Sequence, residues 1–136
     1  MKNKTCVIIV GPTAVGKTSV AIELAQHLHT KIISADSRQC FRELNIGVAK
    51  PSSEQLQKVE HYFINSHSIH DEVNAKAFEE YALQKIHDIF KEQNMAVMVG
   101  GTGLYVKTFS NGINEVPLIN PEIREKINAD FEREGL

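Results

Sequence analysis

The segment Gly11-Pro12-Thr13-Ala14-Val15-Gly16-Lys17-Thr18 limits what this chain can fold into more than any other. It follows an apolar run, Cys6-Val7-Ile8-Ile9-Val10, and precedes a helical pattern from Val20 to Leu28. Strand, glycine-bounded loop and helix, in that order, are the context a phosphate-binding loop requires. The loop lets backbone N–H groups turn inward around phosphate oxygens. The positive end of the following helix reinforces that field. Lys17 is placed to neutralise terminal phosphate charge, and the Thr18 hydroxyl to ligate Mg²⁺. Residues 11–18 together therefore predict a site for a diphosphate or triphosphate.

At 136 residues, with 42% hydrophobic and 24% charged residues, the chain can build one domain with its own core. The formal net charge of −2 supplies no general basic footprint, so any nucleic-acid contact must be local or lie outside these residues. Cys6 and Cys40 have no metal-ligand spacing and read as reduced structural cysteines, which points to the cytoplasm. No stretch approaches the length of a membrane span, and the N-terminal apolar run is too short for a signal peptide.

Taken in order, residues 4–10 predict a buried strand, apolar without alternation as parallel sheets require. Residues 17–29 predict a helix with Val20, Ala21, Leu24, Ala25 and Leu28 along one face. Residues 31–35 predict a second strand running into Asp36-Ser37. Ligands of open α/β sheets bind beyond the carboxyl ends of strands, which puts Asp36 on the rim that carries the phosphate loop. Residues 37–51 are polar, partly basic and irregular. Ser52 and Gln55 form a capping-box pattern for a helix over 53–59. Residues 62–64 predict a strand and 67–73 a loop. Asn74 caps a helix over 75–93 whose apolar face is Phe78, Ala82, Ile86, Ile89 and Phe90. Residues 95–99 predict another buried strand, followed by Gly100-Gly101-Thr102-Gly103 and a helix from Leu104. Pro117 and Pro121 bracket a linker, and a last helix begins at Pro121 with Ile123, Ile127 and Phe131 four apart. The division is a core over 1–114 and a linker with one helix over 115–136.

Three rim elements converge: the loop, Asp36 and Thr102. A nucleotide-hydrolysing switch needs a carboxylate closing a later apolar strand. Residues 95–99 end instead in Gly100-Gly101. Asp36 is the acid at a predicted strand end and suits a general base acting on a hydroxyl or an amine. A helix cap or a magnesium partner are its structural alternatives. The turn at 100–103 reads equally as a ligand-facing loop or as a tight turn made for packing. The six histidines form no recognised metal spacing. Arg38, Arg42 and Lys50 could face a polynucleotide or simply solvent.

The motifs taken together resemble those of bacterial tRNA dimethylallyltransferases. The resemblance rests on the loop at 11–18, on Asp36-Ser37-Arg38-Gln39 continuing into Asn45-Ile46-Gly47-Val48-Ala49-Lys50-Pro51, and on Val99-Gly100-Gly101-Thr102-Gly103-Leu104-Tyr105, in that order. It implies a P-loop NTPase-like three-layer α/β fold with a mostly parallel sheet, followed by the start of a helical insertion. It implies transfer of a dimethylallyl group from dimethylallyl diphosphate to N6 of the adenosine beside the anticodon of tRNA, with release of diphosphate. Asp36 would then be the base and Thr102 a residue near the reacting centre. Gly11, Pro12, Thr13, Ala14, Val15, Gly16, Lys17 and Thr18 would hold the diphosphate, with Mg²⁺ on Thr18. Asp36, Ser37, Arg38, Gln39, Thr102 and Arg124 would meet tRNA.

The resemblance also implies a monomer and a protein longer than this chain, of which these residues form an N-terminal portion with weak activity alone. Cys40-Phe41, Glu43, Asn65 and Asn74 depart from the family's usual residues, Asn65 standing where aspartate is common. Two other readings share the loop: a P-loop kinase for a small molecule or nucleotide, and a phosphate- or nucleic-acid-binding module without catalysis.

Overall fold

The computed structural model describes residues 3–113 and 120–135. Four parallel strands form one sheet: β1 (Thr5–Val10), β2 (Ile32–Ser34), β3 (His61–Tyr62) and β4 (Met95–Gly100), in the order β1-β4-β2-β3. The helices are α1 (Lys17–His27), α2 (Ser53–Lys58), α3 (Ala75–Glu92), α4 (Gly103–Asn111) and α5 (Pro121–Glu134). The three-layer α/β expectation holds. Alternation along the central strands sends Ile32, Val97 and Val99 to α1, and Ile33, Ala96 and Met98 to α3. Strands covered on both faces must be apolar at every position, which is why these runs do not alternate.

Helices α2 and α3 begin where their capping side chains dictate. Ser52 and Gln55 form a reciprocal capping box on α2, and the Asn74 side chain accepts from the Ala77 N–H at the start of α3. α1 stops earlier than its pattern predicts, because His29 takes a left-handed φ of 51°. Its buried face is Ala21, Ile22 and Ala25, while Val20, expected in the core, is exposed. The third strand is shorter and one residue earlier than predicted. Phe63 leaves it with φ 65° and drops into the core, edge-on to Phe78 at 5.1 Å between centroids, and Phe78 in turn stacks on Tyr105 at 4.7 Å.

A buried first strand was also expected. β1 is half-buried in its middle and exposed at both ends, since β4 is its only strand partner among the described residues. α5 forms from the predicted Pro121 start but buries none of its residues. The linker expected around Pro117 lies outside the described residues.

Candidate functional site

All four strands run parallel, so their carboxyl ends share one rim. β1 delivers the phosphate loop there. Ala14 and Gly16 adopt positive φ values of 64° and 95°, and α1 begins directly after Gly16. Lys17 Nζ donates to the Pro12 carbonyl across the loop. Thr13, Ala14, Gly16, Lys17 and Thr18 line a cavity of about 290 Å³, whose far side is Ser34, Asp36, Gln39, Ala49, Pro51 and Ile64. Gly11, Pro12 and Val15 shape the loop without lining this cavity.

Lys17 and Asp36 are the cation and the acid among the described lining residues. His61 also lines it, but its Nδ1 pairs with the Val59 carbonyl at 2.8 Å, and burial pulls its pKa below the usual imidazole range. Burial thus disfavours a charge on this ring.

β2 delivers Asp36. Its Oδ1 accepts from the Arg38 N–H at 2.8 Å and from the Gln39 N–H at 3.1 Å. These bonds fix the carboxylate plane and leave the second oxygen for a ligand. Asp36 thus caps a turn and faces a cavity as well, so the two readings coexist. Gln39 is held in turn. Ser34 Oγ donates to its Oε1 at 3.1 Å, and its Nε2 donates to the Ala49 carbonyl at 2.7 Å.

β4 delivers Thr102. Its side chain does not cap α4; Oγ1 accepts from the Ser37 N–H at 3.1 Å instead, locking the two rim turns together. Gly100 is a packing residue: a Cβ there would sit 2.1 Å from the Ala35 carbonyl oxygen. That resolves the first half of the glycine turn in favour of close backbone approach.

A second cavity, of about 270 Å³, adjoins the first at Asp36. Ser37, Arg38, Gly47, Val48 and Thr102 line it, and Thr13, Asp36, Ala49 and Gly101 belong to both cavities. Arg124 lies on the exposed helix α5 and lines neither.

Lys50 was legible only as a loop cation. Its Nζ donates to the Phe41 carbonyl and Asn65 Oδ1, each at 2.7 Å, and to Asn45 Oδ1 at 3.3 Å. This ties residues 41–50 to the exit of β3. Cys40 is fully buried below the turn, its thiol pushed up to about 11 by burial, so it is not a nucleophile of this rim. Glu43 accepts from Ser68 Oγ and the Ile69 N–H, and the Ser68 hydroxyl holds its carboxyl below the usual range. Among the described residues, no group of three or more His, Cys, Asp or Glu could hold a metal, and no helix is long and apolar enough to cross a membrane.

A glycine-bounded loop, a backbone-held carboxylate and two cavities that share that carboxylate lie together on the carboxyl rim of the sheet. The family model for IPP transferase matches residues 39–136. The chain belongs to the IPP transferase family.

The match begins after the phosphate loop and Asp36, which fall within the stretch shared with individual relatives. The tRNA dimethylallyltransferase of Cytophaga hutchinsonii is 46% identical over 134 residues, 98% of this chain and 44% of its own length. A tRNA dimethylallyltransferase of Bacteroides thetaiotaomicron is 39% identical over 97% of this chain and 43% of its own. Among solved structures, the full-length tRNA isopentenylpyrophosphate transferase of Bacillus halodurans superposes with a TM-score of 0.78 at 32% identity, covering 99% of this chain and 44% of that one. A eukaryotic dimethylallyltransferase acting on tRNA gives 0.75 at 28% identity over 89% of this chain and 31% of its own. The chain thus spans less than half the length of these IPP transferase relatives.

Proposed function

We propose that this IPP transferase chain carries the donor-binding half of a site that prenylates adenosine N6 in tRNA, with dimethylallyl diphosphate as donor. The observation that carries this reading is the position of Asp36, shared by both cavities. A donor in the first cavity and a base in the second would meet at its carboxylate.

The phosphate loop acts on the leaving group. Lys17, the loop N–H groups and the start of α1 stabilise the charge that grows on diphosphate as its bond to the allylic carbon breaks. One lysine is too little cationic charge for a diphosphate, and burial disfavours a charge on His61. Together with the hard-oxygen chemistry of hydroxyl and phosphate, this fits Mg²⁺, held by Thr18. The ion would supply further charge neutralisation there.

Adenine N6 is a weak nucleophile because its lone pair is delocalised into the ring. The free carboxylate oxygen of Asp36 accepts a hydrogen bond from N6 and takes its proton as the new C–N bond forms. Orientation supplies much of the rate. Ser37, Arg38 and Thr102 line the cavity for the incoming base, Gln39 stands beside Asp36 on the donor side, and Arg124 contacts RNA farther out.

In the protein expressed from its natural gene, Asp36→Asn should lower kcat by about 10²- to 10⁴-fold while dimethylallyl diphosphate still binds. Radiolabelled prenyl transfer to tRNA, with donor binding measured in parallel, provides the check. Unchanged transfer removes Asp36 as the base. Phosphate transfer from ATP with no prenylated adenosine points to the kinase reading instead.

A further inference from the structure

The second cavity is walled on one side by Gly47, Val48 and Ala49. Directly before this wall stands Ile46, 96% exposed. A single apolar side chain on a surface is ordinary and needs no account. Ile46 differs in what holds it. Asn45 Nδ2 donates to the Arg42 carbonyl at 3.2 Å and its Oδ1 accepts from Lys50 Nζ, while the Lys50 N–H closes on the Val48 carbonyl at 2.8 Å. Gly47, at φ 71°, turns the chain between the exposed Ile46 and residues 47–49, which line the cavity. A branched, stiff side chain is thus presented to water on a hydrogen-bonded loop, one residue before the wall of the cavity that holds Asp36.

Within the function proposed above, on which this inference rests, the target base must leave its stack to reach Asp36. Its neighbours then lose their stacking partner. Proteins that open a base step fill the gap with an apolar side chain of this size. Arg38 and Arg42 flank the same loop and are exposed, placed for the phosphates on either side. We infer that Ile46 is a wedge that enters the gap left by the extruded adenosine and holds the opened single-stranded RNA in register.

The test uses the protein expressed from its natural gene and an RNA hairpin whose loop adenosine has purine neighbours. Replacing that adenosine with 2-aminopurine reports extrusion as a rise in fluorescence on binding, with no donor present. Ile46→Ala should lose most of that rise and raise KM for the unmodified hairpin by about tenfold, with KM for dimethylallyl diphosphate unchanged. Ile46→Leu, branched and of the same size, should restore both. The KM penalty should vanish on a hairpin whose two flanking nucleotides are abasic, since no stack remains to be wedged.

Wild-type fluorescence and KM in Ile46→Ala would overturn the inference. So would an equal penalty on the abasic-flanked hairpin, which marks a general surface contact. Because extrusion is read without donor, failure of prenyl transfer by the wild type counts against the reaction and not against the wedge.

Discussion

Lys50 shows how much a single residue organises. Its ammonium meets three neutral acceptors on two segments, with no carboxylate among them. Removing it leaves the part-buried Phe41 carbonyl without its charged donor and frees the exposed Asn65 side chain from the loop. Lys50→Met should therefore cost about 2 kcal/mol of stability, read as a lower urea midpoint at unchanged m-value. Asn65→Asp, which places a charge 2.7 Å from the ammonium, should move the midpoint the other way. A midpoint unmoved by Lys50→Met would show that the loop stands without it. Asp36 was readable from its place after an apolar run. The Lys50 role was not, because its partners lie up to 15 residues away and nothing in a local pattern announces them.

At the scale of elements, the junction of β2 and β4 sets the rim. The Ala35 N–H donates to the Val99 carbonyl at 2.8 Å, and the Thr102 N–H to the Ala35 carbonyl at 3.2 Å. This interlock needs backbone against backbone at Gly100, where a Cβ meets Ala35 at 2.1 Å. Gly100→Ala should part the two strands at a cost above about 3 kcal/mol and shift the aspartate turn with them. Gly103 has open space around its missing Cβ and stands in the first turn of α4, so Gly103→Ala should be neutral or stabilising by about 0.5–1 kcal/mol. Thermal denaturation of the pair separates the two roles; equal effects would mean that the approach at Gly100 is not limiting. The turn itself was legible as glycine-rich, but which glycine served packing was decided by a strand 65 residues away in sequence.

Across the whole molecule, two cysteines report on how uniformly the fold is held. Cys40 is fully buried, whereas Cys6 sits half-buried on β1, and burial pushes both thiols up to about 11. At pH 8 neither presents much thiolate while folded. Alkylation at low denaturant should therefore label Cys40 only through global unfolding. Cys6 should label faster, through local opening of a strand with one neighbour among the described residues. Mass spectrometry of the labelled peptides checks this, and equal rates would mean that β1 opens only with the rest.

The sequence by itself determined what depends on neighbours along the chain. Apolar runs set the parallel strands, Ser52 and Asn74 set helix starts, and the glycine-bounded stretch at 11–18 set the turn from β1 into α1. The same local order placed Asp36 on the rim. It overestimated the burial of β1, because a run of apolar residues says how a strand is built and not how many strands flank it. Only the tertiary structure decided that two cavities meet at Asp36, that Thr102 turns from its own helix to the Ser37 N–H, and that Lys50 fixes the loop carrying Ile46. Those features are contacts between residues far apart in sequence. Their geometry exists only once the sheet has brought its strand ends to one edge.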